Sequence, residues 1–295
     1  MSIIQWAAPV LFLFSFSCGC SKKTVPVSEA GTAGTEMRII SMAPNLTEIL
    51  FGLGLDEEIV GVTKYSTYPP RATEKRCIGT FWQPDIEATL MLKPTLVVTL
   101  GFEQQAALAK RLKNIGCQTL TVNIESIGEL YEAIEKIGQV TEKYTEAQQM
   151  LQRLKAKQQE IVRRSSQSEK PKVLWVIQRE PLRVAGTKTY INELIEIAGG
   201  VNAVGQTIQV YPPVSTENVI RAMPDVIIEP SMDPDQFEKQ KATAEDFFRR
   251  FSVVPAVKNS RVYVIDGDLV SRLAPRLDEG MELVYQCVAS PKEPQ

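Results

Sequence analysis

Residues 87–98 read EATLMLKPTLVV, and residues 217–228 read ENVIRAMPDVII. In each stretch a Glu stands seven residues before a Pro, and an uninterrupted apolar run follows that Pro. The residues between the Glu and the Pro are typical of a short helix, and the apolar run is typical of a strand buried on both faces of a parallel sheet. The recurrence of this unit predicts two lobes of similar architecture.

The segments around the two units predict the rest of the fold. Arg38–Met42 begins a first series of alternating strands and helices, and Lys172–Ile177 begins a second. Such alternation predicts parallel sheets with helices on both faces. Between the two series, Thr141–Ser165 carries apolar side chains at close to helical spacing, which predicts one long helix.

The predicted fold class is therefore α/β, with two similar lobes built on central parallel sheets and joined by one long helix. We expect the N-terminal lobe over residues 37–126, the linking helical region over 127–169 and the C-terminal lobe over 170–290. Ligand clefts in such proteins lie between the lobes, where the loops at the strand ends converge.

The composition excludes several functions. The chain has 295 residues, 33 Lys and Arg, 35 Asp and Glu, and no histidine. The missing histidine excludes Ser-His-Asp and Cys-His nucleophiles, HExxH zinc sites and histidine-ligated haem. The formal charge of -2 gives no support for a nucleic-acid partner. We expect no catalytic residue, no metal bound by the protein alone and no resident cofactor.

The N-terminus predicts a membrane tether. Residues 3–17 form an apolar run of signal-peptide length, and small residues with Cys18 and Cys20 follow it, as in a lipoprotein cleavage site. This pattern predicts a signal peptide over residues 1–20, lipidation of Cys20 (Cys18 is the second candidate) and a flexible tether over residues 21–36. An uncleaved membrane anchor is the alternative. Either reading places the protein at the outer face of the cytoplasmic membrane.

The three remaining cysteines show no CxxC spacing, so neither a zinc site nor a redox motif is indicated. A disulfide between Cys77 and Cys117 is one interpretation, and buried free thiols are the other. The third, Cys287, has no predicted partner.

Five segments carry a family resemblance. They read RIISMAPNLTEILFGLGLDEEIVGVT from residue 38, YSTYPP from 65, FWQPDIEATLMLKPTLVV from 81, VYPPVSTENVIRAMPDVII from 210 and SRLAPR from 271. In these segments the chain resembles the helical-backbone class of substrate-binding proteins of bacterial ABC importers, which serve vitamin B12, ferric siderophores and haem. Within that class it is most similar to the vitamin B12 receptors.

The resemblance implies a function without catalysis. The protein is expected to capture cobalamin or a related corrinoid and to deliver it, as a monomer, to a permease dimer with its ATPase subunits. A receptor for a ferric siderophore or haem is the alternative within the class. An enzyme on a related two-lobe fold would need Cys ligands or a His base, and a surface adhesion lipoprotein would need no cleft.

The resemblance also implies ligand-binding residues. Aromatic side chains on loops would form the walls of the cleft, and they are Tyr65, Tyr68, Phe81, Trp82 and Tyr211. Trp82 lies one residue nearer to Glu87 than the equivalent Trp does to its Glu in the vitamin B12 receptors, so Phe81 is the alternative at that place. Tyr211 stands where those receptors have Trp. The alternative for all five aromatic residues is that they cap the ends of their own lobes.

Four charged residues complete the expected sites. Asp268 and Arg272 are expected to make polar contacts to the ligand, or else to form a local ion pair. The resemblance implies that Glu87 and Glu217 dock onto arginine pockets of the permease dimer. The repeat places one of them at an equivalent position in each lobe, which suits a partner with two-fold symmetry. Plain helix capping by a negative side chain is the alternative for both.

Overall fold

The computed structural model describes residues 36–114, 116–166 and 169–289. The predicted signal peptide, the lipidation candidates Cys18 and Cys20, and nearly all of the tether lie outside these residues. No helix within the described residues is both long enough and apolar enough to cross a membrane.

The described residues of the N-terminal lobe form a parallel sheet with the strand order β3-β2-β1-β4-β5. Its strands are β1 (Ile39–Ser41), β2 (Ile59–Val62), β3 (Arg76–Cys77), β4 (Leu96–Leu100) and β5 (Gln118–Val122). Its helices are α1 (Pro44–Gly52), α2 (Ile86–Met91) and α3 (Glu103–Asn114). The central strands β1 and β4 are almost wholly buried, as their continuous apolar sequences predict.

Two helices follow the first sheet, namely α4 (Ile127–Val140) and α5 (Tyr144–Ser165). The predicted long helix is confirmed, but it begins three residues later than Thr141. Thr141 instead closes α4, because its hydroxyl donates a hydrogen bond to the Ile137 carbonyl (2.7 Å). Glu142 then takes a left-handed conformation (φ 60°), which breaks the helical path before α5.

The C-terminal lobe repeats the topology of the first. Its strands are β6 (Lys172–Arg179), β7 (Leu182–Val184), β8 (Val201–Asn202), β9 (Val226–Ser231) and β10 (Val262–Asp266). Its helices are α6 (Tyr190–Ile197), α7 (Thr216–Ala222), α8 (Phe237–Arg249), α9 (Pro255–Lys258), α10 (Gly267–Val270) and α11 (Leu277–Ala289). In the second sheet the parallel strands follow the order β10-β9-β6-β8, which corresponds to the order β5-β4-β1-β2 in the first sheet. Strand β7 also pairs with β6, and this pairing is antiparallel.

A shared core joins the lobes along α5. Leu151 and Leu154 of α5 pack in one apolar cluster with the first sheet, with Leu194 of α6 and with Leu277 of α11. The C-terminal helix therefore contributes to the core of the N-terminal lobe, and the lobes are held together by more than a single connecting helix.

Candidate functional site

A cavity of about 530 Å³ lies between the two lobes. Its walls come from loops at the carboxyl ends of the strands, because parallel strands place all these ends at one edge of each sheet. The lining residues are Ala43, Pro44, Asn45, Tyr65, Phe81, Leu100 and Ile124 from the N-terminal lobe, and Tyr190, Met232, Asp268, Ser271, Arg272 and Leu273 from the C-terminal lobe.

The cavity lining is mainly apolar and carries no net charge. Asp268 and Arg272 are the charged side chains among the described residues that line it. They are joined by an ion pair of 2.8 Å between Arg272 Nη2 and Asp268 Oδ1. The predicted local ion pair therefore exists, and it lies on the cleft surface where a ligand can reach it.

A second ion pair lies behind the first and joins the lobes. The carboxylate of Glu48 on α1, with a side chain 2% exposed, accepts hydrogen bonds from Arg276 Nε and Nη2, both at 2.9 Å. Glu48 also raises the pKa of Arg276, since the carboxylate stabilises the charged guanidinium. Arg272 Nη1 lies 3.7 Å from the same carboxylate. Sequence reasoning did not assign Glu48 or Arg276, although Arg276 is the last residue of the SRLAPR segment.

Tyr68 contacts this second ion pair instead of lining the cavity. The Arg276 guanidinium lies 3.7 Å above the centre of the Tyr68 ring, which is a cation–π contact. The structure thus places Tyr68 at the edge of the cleft, on the side of the lobe connection.

The loop before α2 carries the most extensive aromatic surface of the site. Phe81 lines the cavity, while Trp82 packs against it with ring centres 4.3 Å apart and stays 57% exposed. Phe102, from the loop after β4, contacts both rings at 5.9 and 5.4 Å. Of the two candidates in this loop, Phe81 is therefore the one that lines the cleft. Phe102 is a further aromatic residue of the site, and it was not predicted from the sequence.

Two tyrosines also line the cavity, one from each lobe. Tyr65 comes from the N-terminal lobe, and Tyr190, at the start of α6 in the C-terminal lobe, was not among the predicted residues. Burial raises the pKa of Tyr190, with a smaller contribution from nearby Tyr211. Tyr211 itself does not line the cavity. It lies on a segment that pairs with the edge strand β7, where Val184 N–H donates to the Pro212 carbonyl (3.2 Å).

Glu87 and Glu217 occupy equivalent positions in α2 and α7. Each is the second residue of its helix, and the residue two places earlier caps that helix: Asp85 accepts from Ala88 N–H, and Ser215 accepts from Asn218 N–H. Both glutamates are exposed, and neither forms an ion pair with another described residue. The helices are thus already capped by Asp85 and Ser215. Glu217 also has a local hydrogen bond with the Ser215 side chain, which lowers the pKa of Glu217, and both glutamates stay exposed on the surface.

The cysteines and other metal-ligating residues form no further site. Within the described residues, no three Cys, Asp or Glu side chains are grouped so that they could hold a metal ion. Cys77 is exposed, Cys117 and Cys287 are buried, and all three are free thiols, so the interpretation with a Cys77–Cys117 disulfide is wrong. Burial raises the pKa of Cys287 to about 12, which makes it an unreactive core residue.

Comparisons with known proteins show the family of this chain. The family model of periplasmic binding proteins matches residues 39–269, and the chain belongs to that family. An uncharacterized ABC transporter substrate-binding lipoprotein of Bacillus subtilis, YvrC, is 31% identical over 85% of this chain and 79% of its own length. The fold and this similarity define an ABC transporter substrate-binding protein of the helical-backbone class.

Two relatives with solved structures are similar over nearly the whole described region. The vitamin B12-binding protein of Vibrio cholerae is 25% identical over 84% of this chain and 87% of its own. Its crystal structure gives a TM-score of 0.73 over 85% of this chain and 96% of that chain. The heme uptake protein IsdE of Staphylococcus aureus is 27% identical over 90% of both chains. The structure of its heme complex gives a TM-score of 0.72 over 86% of this chain and 100% of that chain.

Proposed function

We propose that this protein captures cobalamin or a related corrinoid outside the cytoplasmic membrane and delivers it to the permease of an ABC importer. The observation that carries the proposal is the charge-neutral, aromatic lining of the interlobe cleft. A corrinoid is a large, flat macrocycle with a rim of neutral amides. Phe81 and Tyr65 offer apolar walls for its faces, and the Asp268–Arg272 pair offers an acceptor and donors for the amides.

An anionic ferric siderophore would favour a different cleft. Oxyanions are bound best by guanidinium groups that have no other carboxylate partner. Arg272 already pairs with Asp268, and Arg183 donates to the Tyr211 carbonyl (3.2 Å) away from the lining. Among the described residues that line the cleft, no arginine is left without a carboxylate partner for a catecholate.

Haem is the second candidate, because the similar IsdE takes part in heme uptake. Without histidine, the side chains of the described cavity lining that could bind the iron are those of tyrosine and methionine. Tyr65 and Met232 line the cavity and could serve. Tyr190 is the less suitable phenol, because burial raises its pKa and opposes the tyrosinate that iron prefers.

Delivery would use the two exposed glutamates. Glu87 and Glu217, one on each lobe, suit a partner with two-fold symmetry that presents a cation at two places. Lipidation at Cys20 would keep the loaded protein close to that partner. We propose that the protein acts as a monomer.

Calorimetric titration of the purified protein tests the ligand. We expect binding heat with cyanocobalamin and with cobinamide, and at most weak binding of hemin and of a ferric catecholate. Phe81→Ala should weaken corrinoid binding, whereas Val253→Ala, at an exposed apolar residue that is not part of the lining, should not. Tight binding of hemin or of the ferric catecholate without corrinoid heat would overturn the assignment.

A further inference from the structure

Gln105, in the first turn of α3, is a completely buried polar residue. Its side-chain Nε2 donates to the Met42 carbonyl (2.7 Å) and to the Phe81 carbonyl (3.1 Å). Its Oε1 accepts from Leu100 N–H (2.7 Å). Both donor protons and the acceptor are therefore used, which is how a buried amide avoids the cost of lost hydration.

The three partners of Gln105 lie on separate segments that border the cleft. Met42 follows β1 directly, Leu100 ends β4, and Phe81 lies in the loop before α2. Leu100 and Phe81 line the cavity, and Met42 immediately precedes the lining residue Ala43. The backbone bond from Met42 N–H to the Val98 carbonyl (3.0 Å) joins the end of β1 to β4, and the Gln105 side chain connects both of these segments to the loop that carries Phe81.

Gln105 also bonds to both segments that carry the aromatic wall, which is the surface formed by Phe81, Trp82 and Phe102. The Gln105 side chain holds the Phe81 carbonyl, and the Gln105 backbone N–H donates to the Phe102 carbonyl (3.1 Å). Trp82 packs against both the Phe81 and the Phe102 rings. The 80–83 turn is closed internally by the bond from Thr80 N–H to the Gln83 carbonyl (3.1 Å), so it can move as a unit. Gln105 fixes the position of that unit relative to β1 and β4.

We propose that Gln105 is the positioning residue of the cleft's aromatic wall, holding Phe81 and Trp82 in the orientation that receives a flat ligand. It does not touch the ligand; it acts through Phe81. The part of the test that uses cyanocobalamin rests on the proposed function, and the part that uses fluorescence does not.

The test compares Gln105→Met with Gln240→Met. Methionine keeps the length of the side chain and removes its hydrogen bonds. Gln240, on α8 of the other lobe, is a matched control because its Nε2 also donates twice, to Glu229 Oε1 (2.7 Å) and to the Pro230 carbonyl (3.3 Å). It makes no contact with the aromatic wall.

Tryptophan fluorescence reports how exposed the aromatic wall is in the protein without ligand, because Trp82 belongs to that wall. In a chain that begins at residue 21, the tryptophans are Trp82, which is 57% exposed, and Trp175, which is 1% exposed. Quenching by acrylamide therefore reports mainly Trp82. We expect Gln105→Met to raise the quenching constant at least about twofold, to move the emission to longer wavelength and to weaken cyanocobalamin binding about tenfold. Gln240→Met should leave all three unchanged.

Gln105→Glu supplies a second, reversible version of the test. At pH 8 its carboxylate cannot donate to the Met42 and Phe81 carbonyls, whereas at pH 5 the protonated acid, favoured by burial, donates one bond again. Acrylamide quenching of this variant should move back toward the wild-type value at pH 5. If Gln105→Met does not fold, this measurement on Gln105→Glu decides whether Gln105 positions the aromatic wall.

The two ways of failing are distinguishable. If wild-type protein shows no cyanocobalamin heat, the proposed ligand is wrong, and the quenching measurement still decides the role of Gln105. If Gln105→Met loses thermal stability but keeps wild-type quenching and affinity, Gln105 only fills the core, and the inference is overturned.

Discussion

Lys93 and Met223 share one unusual backbone conformation. Their φ angles are 47° and 46°, in the left-handed region, and each residue directly precedes a proline that stands two residues before a buried strand of its lobe, β4 or β9. Each also follows the helix that carries an exposed glutamate, so the two lobes turn from helix to strand in the same way. The repeated sequence units that begin at Glu87 and Glu217 therefore have the same local structure in both lobes.

Glycine at these two turns should stabilise the protein. A left-handed conformation costs a residue with a Cβ atom about 1–2 kcal/mol, and part of the gain is lost to the freer unfolded chain. We expect Lys93→Gly and Met223→Gly each to raise the free energy of unfolding by about 0.5–1 kcal/mol in urea titrations. Lys110→Gly, at an exposed position inside α3, should lower it by about 1 kcal/mol. Loss of stability at both turns would contradict the strain argument.

Reversal of the two glutamates should uncouple delivery from binding. We expect Glu87→Lys combined with Glu217→Lys to leave the ligand affinity unchanged and to reduce uptake by the cognate importer at least about tenfold. The reason is that each lysine would repel the cation that the permease is expected to present at that position. The matched control is Glu103→Lys with Glu238→Lys, because these are also first-turn glutamates. Equal loss of uptake in both double variants would favour the helix-capping interpretation.

The Glu48–Arg276 pair should be the most costly ion pair to break. Removing one partner of a buried pair leaves a buried charge uncompensated, so Arg276→Met should lower the free energy of unfolding by about 3 kcal/mol. Glu48→Leu combined with Arg276→Met should restore most of the loss. Arg153→Met, which breaks an ion pair whose arginine side chain is 50% exposed, should cost about 1 kcal/mol or less. Additive losses in the double variant would contradict the coupling.

Removing the negative member of the cleft ion pair should change ligand preference. Asp268→Asn leaves Arg272 without its 2.8 Å carboxylate partner and gives the cavity lining a net positive charge. We expect the affinity for a ferric catecholate or hemin to rise and that for cyanocobalamin to fall, each by about fivefold or more. Calorimetry with the three ligands measures both. Unchanged preference would show that the pair does not meet the ligand.

The link between α5 and α11 should weaken in acid. Glu282 accepts hydrogen bonds from Arg164 (2.8 and 3.0 Å), and this contact lowers the pKa of Glu282 below the ordinary value of 4.5. A depressed pKa means that the stabilisation is complete above the unfolded value and disappears as the pH falls through the folded one. We therefore expect Glu282→Gln to melt about 1–2 °C below wild type at pH 7 and at the same temperature near pH 3. A gap of equal size at both pH values would contradict this linkage.

Local patterns predicted much of this molecule. The buried strands β4 and β9, the helix α5 and the equivalence of Glu87 with Glu217 depend on spacings within about a dozen residues, where periodicity and proline act directly. The aromatic loop and the Asp268–Arg272 pair were also found, because both lie within short segments that resemble known receptors.

Long-range packing decided the rest. Glu48 and Arg276 are 228 positions apart, so no local pattern relates them. The same contact takes Tyr68 away from the cavity lining, while Phe102, Gln105 and Tyr190 join the site only because parallel strands bring their loops to one edge. The order of residues along the chain is enough to predict two equivalent lobes and to locate the aromatic loops. Which of those side chains face the cleft follows from the folded arrangement, because it depends on how buried charges and amides find partners on segments distant in the chain.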